Sequence, residues 1–355
     1  MSTQFDRVAL IQRLEHADGP ADLSDAFPDT LWSILREAGA TVWSIPQVLG
    51  GEGCDRETLL DRFAVVAQGS LTAAFILSQH DAALRRLLAV GPDRPVAVRW
   101  LEAVVSGEAF ATIGVSQLTT SRRLGVQALR IMDGEDGSRT LEGAMPWVTA
   151  ADRADVFVTG AVQSDGRQVL FAIPSNRPGL EVKPPFALAA LGASRTTEIV
   201  CSKLVFDDGD RLAGPSADVM AHTSAAGTGG LETSALALGQ ARAAVIALEA
   251  ERPDRSELAE PVEALRDSLE TAWRELLETA KAADGSKSSA QIRSSANGLA
   301  LRATQAYLTA RRGRGFLKDD PAQRWARQAL FFLVWSCPSP VANAAIRELA
   351  GVCSL

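Results

Sequence analysis

The sequence predicts an α+β chain that is mostly helical. A helical domain over residues 1–108 comes first, then an antiparallel β domain over 109–214, then a helical bundle over 215–355. The first observation behind this is a change of period. Apolar residues recur at helical spacing on both sides of a middle stretch of short runs rich in Val, Ile and Phe. The second is the placement of turn dipeptides. Asp133–Gly134, Asp136–Gly137, Asp165–Gly166 and Asp208–Gly209 all fall in the middle stretch. The third is the last region, where long helices separated by short connections imply a bundle.

Each element has its own signal. Phe27–Pro28–Asp29 precedes an amphipathic run from Leu31 to Ala38. Asp55 is placed to cap a helix carrying Leu59–Ala67, and Ser70 to start another from Leu71 to Leu88. Pro95 suits the first turn of a helix over Val96–Val105. In the middle region the strands are Phe110–Val115, Ala128–Met132, Val156–Ala161, Val169–Ile173 and Ile199–Phe206. Leu231 to Ala250 is nearly free of helix breakers. Val262, Leu265, Leu269, Trp273, Leu276 and Ala280 make one stripe. A second stripe, from Ile292 to Ala306, stops at Gly313 and Gly315. Asp320–Pro321 opens a helix through Trp335, with Trp325, Leu330, Phe331 and Val334 expected on its packed face. Ser339–Pro340 opens the last helix, ending near Gly351.

Composition narrows the function. Hydrophobic residues at 46% and charged residues at 22% fit a packed globular chain rather than a disordered one. A net charge of −7 argues against nucleic-acid binding, which needs a basic surface. No apolar run approaches the roughly 20 residues of a membrane span, and the N-terminus lacks a secretory apolar segment. Cys54, Cys201, Cys337 and Cys353 are scattered, as are His16, His80 and His222. No metal is expected, and free thiols suit a reducing cytoplasm.

Several local patterns then carry a resemblance. They are Pro46 with Gly50–Gly51–Glu52–Gly53, Phe110 to Ser116, Trp147–Val148–Thr149 and Gly192 to Phe206. The last is Arg312–Gly313–Arg314–Gly315–Phe316, followed by Asp320–Pro321 and Arg327. In this order and spacing the chain resembles the acyl-CoA dehydrogenase superfamily over about nine-tenths of its length. The resemblance implies a flavin, FAD with FMN as the other choice, bound by Val115, Ser116, Ser121, Trp147, Thr149, Gly313 and Gly315. In it the Trp147 indole packs beside the isoalloxazine and the Thr149 hydroxyl reaches N5. The plain alternative is a core tryptophan at a strand end. Gly313 and Gly315 match glycines near the adenosine part, or simply stop a helix. Arg122 and Arg123 either pair with phosphate, placing Arg122 at a substrate, or form a solvated pair on a loop. His80 lies where the family's substrate channel begins, or is a packed polar residue.

Two departures stand beside the resemblance. Removing a thioester α-proton needs a positioned carboxylate. The family's usual Glu position falls on Ser336, and a serine cannot do this work. An alternative family position, on the first long helix of the bundle, falls near Gly227, and Glu232 lies about five residues later. The family's Arg-x-x-Phe-Gly loop is also missing. Ala250–Glu251–Arg252–Pro253–Asp254–Arg255 runs straight on, leaving Arg252 or Arg255 as substitutes. Three functions follow. One is a flavin oxidoreductase acting on an acyl-CoA or related small molecule. Another is a flavin monooxygenase supplied by a flavin reductase. The third is a non-catalytic binding or scaffold protein. The resemblance further implies a homodimer or homotetramer and an electron-transfer or reductase partner.

Overall fold

The computed structural model describes residues 5–119, 129–134, 137–222, 230–281, 288–335 and 337–352. Five helices lead: α1 (Arg7–Asp22), α2 (Asp29–Glu37), α3 (Arg56–Gly69), α4 (Leu71–Ala89) and α5 (Pro95–Val105). The starts of α1, α3 and α4 are set by side-chain caps. Asp6 accepts from Ala9 N, Asp55 from Thr58 N and Ser70 from Ala73 N. Each satisfies an N–H that a helix start leaves without a partner. α1 had no signal of its own in the pattern, because its apolar face is weak and its helix contains Gly19 and Pro20.

The strands are β1 (Ala111–Gly114), β2 (Arg130–Asp133), β3 (Arg139–Val148), β4 (Val156–Val162), β5 (Gln168–Pro174), β6 (Leu180–Val182), β7 (Thr197–Val205) and β8 (Arg211–Ser216). They form one sheet in the order β6-β7-β3-β2-β4-β5-β8, with β1 against β4. The expectation of an antiparallel domain needs correction, since β1 and β2 both run parallel to β4. Turn dipeptides report local reversals. They say nothing of the return of β4 to β1 after the β2–β3 hairpin has intervened. β4 and β5 are covered on both faces. Phe157, Ala161, Phe171 and Ile173 point into one core, while Val156, Val158, Leu170 and Ala172 point into the other, against α4 and α5.

The last region holds the short α6 (Val219–His222), then α7 (Leu231–Ala250), α8 (Ala259–Lys281), α9 (Ser289–Arg311), α10 (Pro321–Ala329) and α11 (Ser339–Leu349). α7 is central and packs on α3 so closely that a Cβ on Gly239 would sit 2.2 Å from the Ala64 carbonyl oxygen. Only glycine allows that approach.

The helix expected to run to Trp335 ends at Ala329, and Leu330–Leu333 continues as a 3₁₀ turn. The change of pitch rotates the face. Phe332 is buried, Trp325 and Phe331 are half-buried, while Leu330 and Val334 are exposed. Two polar side chains of α9 stabilise the altered turn. Asn297 Nδ2 donates to Phe332 O at 2.7 Å, and Arg293 Nη2 to Trp335 O at 2.9 Å.

Candidate functional site

Two segments meet where the resemblance places a cofactor. β1 ends at Gly114, and the chain turns through Val115 into a short 3₁₀ turn over Ser116–Leu118. β3 ends in the Trp147 turn. Ser116 Oγ joins the two by donating to Pro146 O at 2.6 Å. Gln117 anchors the β1 exit from below. It is buried, and its Nε2 lies 3.0 Å from Gly114 O, 3.1 Å from Thr159 Oγ1 and 3.0 Å from Gly160 O.

Trp147 is the unusual residue. The β3–β7 register shifts between Met145 and Val148, and Trp147 adopts φ +62°. A left-handed conformation in a bulky residue costs roughly 1–3 kcal/mol. The strain turns the indole outward, where it is 56% exposed beside the Phe186 ring at 4.9 Å. The following residue pair turns inward. Thr149 is buried, and its hydroxyl shares a hydrogen bond with Thr196 Oγ1 at 3.1 Å. Thr196 in turn meets Ser194 Oγ at 2.9 Å. Thr112 Oγ1 donates to Thr149 O, and Ala150 N to Ser194 O, both at 2.8 Å. The Trp147 turn is thus held on three sides. It leaves an open aromatic plate beside the Phe186 ring, a surface suited to stacking with a flat ring.

Val115 and Ser116 are therefore brought together with Trp147 and Thr149. Gly313 and Gly315 lie in the separate turn after α9. A Cβ on Gly313 meets nothing within 4 Å, so no neighbour among the described residues requires glycine there. A Cβ on Gly315 would lie 2.6 Å from the Arg311 Cβ, which gives that glycine a packing reason. Ser121, Arg122, Arg123, Gly227 and Ser336 lie outside the described residues. Arg255 is committed to Ala310 O and Glu257, and Arg252 lies 3.7 Å from Glu249.

His80 is buried in α4. Its Nδ1 is 2.8 Å from Ala111 O and its Nε2 3.1 Å from Thr41 O. Only the imidazolium donates to both carbonyls, yet burial pushes the pKa below its ordinary value. His80 thereby ties α4 to β1, one residue before Thr112.

Glu232 stands on the first turn of α7, and Arg85 Nη1 donates to its Oε1 at 2.7 Å. The same guanidinium lies 2.8 Å from Asp81 Oδ2. Burial raises the Asp81 pKa, with Arg85 opposing it. For Arg85 burial works against the charge, but Glu232 and Asp81 raise its pKa on balance. One cation thus serves two carboxylates between α4 and α7. The sequence reading had not grouped them, although Asp81 and Arg85 are four apart on one helix and so share a face. Nor did it find Phe186, Gln117 or the Thr196–Ser194 pair, which no local spacing connects to Trp147.

Around the described neighbours of Ser336, Trp335 stacks on Phe331 at 4.9 Å and meets Phe75 of α4 edge-on at 4.8 Å. Arg293 beneath them is buried, and desolvation brings its pKa down to about 10. It is a cation beside this segment with no carboxylate partner among the described residues.

Comparison with known proteins adds the family context. No family model matches the chain. The chain is similar to benzylmalonyl-CoA dehydrogenase of Aromatoleum aromaticum, with 23% identity over 256 residues, covering 71% of this chain and 67% of that protein. It is also similar to the probable acyl-CoA dehydrogenase YngJ of Bacillus subtilis, with 23% identity over 352 residues, 93% of this chain and 90% of the other. Among solved structures, butyryl-CoA dehydrogenase from Megasphaera elsdenii superposes with a TM-score of 0.81 at 17% identity, covering 99% of this chain and 100% of that one.

Proposed function

The chain belongs to the acyl-CoA dehydrogenase superfamily, and from that premise we propose that it is a flavin-dependent oxidoreductase acting on an acyl thioester or a related small molecule. The observation that carries the reading is the Trp147 turn, a strained, outward aromatic plate in a turn held by buried Thr149 and by Ser116 on Pro146 O. Strain of this kind persists where surrounding structure holds it and is concentrated at functional sites. A bound flavin, FAD or FMN, would supply the acceptor for a hydride from the substrate. The residues of this chain have separate tasks. Trp147 and Phe186 would cover one side of the ring and keep water from it. Ser116 is the half-buried hydroxyl at the rim of the site, and the buried Thr149–Thr196–Ser194 chain holds the turn in place before binding.

Proton transfer is the weak part of the site. Glu232 is the acid proposed to take a substrate proton, and Arg85 orients it but occupies one of its two oxygens. Slow oxidation of ordinary acyl-CoA thioesters is therefore part of the reading. The same proposal includes a homodimer or homotetramer. It is supported by the exposed Phe316 and Leu317 after α9 and the exposed Ile346 and Leu349 of α11. It also includes an electron-transferring or reductase partner, and a cytoplasmic setting in which Cys54, Cys201 and Cys337 stay reduced.

The deciding experiment is the visible absorption spectrum of the purified protein after incubation with FAD or FMN and removal of free flavin. A bound flavin spectrum is expected. Lack of uptake of both at high micromolar concentration would defeat the oxidoreductase reading and leave a non-catalytic member of the fold. Anaerobic mixing with short, medium and long acyl-CoAs then tests the thioester. Rapid bleaching abolished by Glu232→Gln would establish that acid. Silence with every thioester, with oxygen-dependent turnover of the reduced flavin on another substrate, would overturn the thioester class in favour of monooxygenation.

A further inference from the structure

A cavity of about 170 Å³ lies at the other end of β1 from Ser116, between α2, α4 and the chain after α5. Its inner wall is aromatic. Trp32 and Phe110 are 4.6 Å apart between ring centres, Phe27 meets Phe110 edge-on at 6.2 Å, and His80 meets Trp32 edge-on at 5.3 Å. An apolar cavity of about 150 Å³ accepts one benzene ring, so the space suits a side chain of that size.

The rim adds charge of both signs. Arg153 is already used, since its guanidinium lies over the Phe27 ring and 3.1 Å from Asp29. Asp155 Oδ2 accepts from Phe110 N at 2.7 Å. Arg36 and Glu108 differ from these. Both line the cavity, both are exposed, and neither side chain has a hydrogen bond or ion pair among the described residues. Gly107 makes room for the guanidinium, because a Cβ there would lie 2.9 Å from Arg36 Nη2.

A simple anion on this rim would leave Glu108 beside it unanswered, and a simple cation would do the same to Arg36. A zwitterion answers both. We propose that this cavity binds a free α-amino acid with an apolar side chain of about one ring in size. The side chain lies against Trp32 and Phe110, Arg36 holds the carboxylate, and Glu108 with the remaining Asp155 oxygen holds the ammonium group. Arg36 is suited to the first role by its fork of N–H donors, which matches a carboxylate in plane. The site is separate from the Trp147 turn and stands whether or not a flavin binds there.

Isothermal titration of the full chain as isolated tests this. The probes are L-phenylalanine and L-leucine, with 3-phenylpropionate and 2-phenylethylamine as analogues lacking one charge each. One amino acid is expected per chain. Each analogue should bind about tenfold or more weakly, the loss of one charge-assisted contact. Arg36→Gln should weaken phenylalanine to a similar degree while leaving phenylethylamine unchanged. Glu108→Gln should weaken phenylalanine and spare phenylpropionate. Both residues are exposed, so both variants should fold. Absence of heat with either amino acid up to about 10 mM, where even a millimolar site is filled, overturns the proposal. Equal binding of the analogues, or phenylalanine affinity unchanged in both variants, does so as well.

Discussion

Replacing Arg85 with methionine tests the ion cluster between α4 and α7. The guanidinium is about one-fifth exposed, and its partners are more deeply buried, with the Glu232 side chain 12% and the Asp81 side chain 6% exposed. Methionine keeps the apolar stem and removes the charge, so the cavity contribution is small. What remains is two buried carboxylates with no cation between them. Breaking a buried pair by removing one partner costs about 3–5 kcal/mol, which lowers an apparent melting midpoint by on the order of 10 °C. The loss has a definite pH dependence. Asp81 already lies above its ordinary value of 3.8 because burial disfavours its charge, with Arg85 opposing that effect. Without Arg85 it moves further up. A carboxylate whose pKa is higher in the folded chain leaves stability untouched below the unfolded value. It removes stability as pH rises through the folded value. The gap between Arg85→Met and the parent chain should therefore be wide at pH 8 and narrow at pH 5. Differential scanning fluorimetry at the two pH values reads it. A gap that is absent, or wider at pH 5, would show that Arg85 does not neutralise these acids.

Three other outcomes are expected. Trp147→Gly should raise the melting midpoint by relieving a left-handed conformation worth roughly 1–3 kcal/mol, while weakening flavin uptake about tenfold through loss of the aromatic plate; thermal melts and flavin titration on the same sample separate the two effects. Asp18, fully buried against Arg324 and Ser70, has its pKa raised to about 6 by desolvation, so the chain should lose on the order of 3 kcal/mol of stability from this group as pH rises from about 4 to 7. That slope should flatten in Asp18→Asn, and an equal slope in both would assign it to other groups. Phe332→Ala should cost about 3–5 kcal/mol, whereas Val334→Ser, at a position 75% exposed, should leave a chemical melt within about 0.5 kcal/mol of the parent.

Those last two substitutions mark where the sequence ceased to be informative about the fold. Helices whose limits are written in local chemistry were legible. Asp55, Ser70 and Pro95 begin helices where expected, and Leu231–Ala250 is helical from end to end. The stretch after Ala329 was misread because its apolar spacing suits an α-helix. Its pitch is instead set by Arg293 and Asn297, which are more than thirty residues earlier and draw carbonyl groups of Phe332 and Trp335 to α9. Strand β3 was invisible for another reason. Gly143, Pro146 and a bulge at Trp147 interrupt the alternation by which a strand is recognised.

The same distinction runs through the proposed site. Trp147, Thr149, Val115 and Ser116 stood out because they lie in two short segments with a family pattern. The structure brings the segments together through one hydroxyl, Ser116 to Pro146. What sequence could not give is the asymmetry of the Trp-x-Thr turn. An alternating strand would place Trp147 and Thr149 on the same face. The left-handed conformation at Trp147 and the register shift between Met145 and Val148 break that alternation, so that the indole opens outward and the hydroxyl closes inward. Glu232 shows the opposite case. Its distance from Gly227 made it a poor base on spacing alone, yet spacing says nothing about Arg85. A carboxylate engaged by a guanidinium between two helices is held in one orientation. Asp81 holds the other side of the same guanidinium, so it fixes where Arg85 stands and with it the Glu232 carboxylate. The Glu232 contribution to turnover should then fall in Asp81→Asn, even though Asp81 touches no reacting atom. Its signature is a lower kcat with substrate KM unchanged. An unchanged kcat would leave Asp81 a purely structural partner of Arg85.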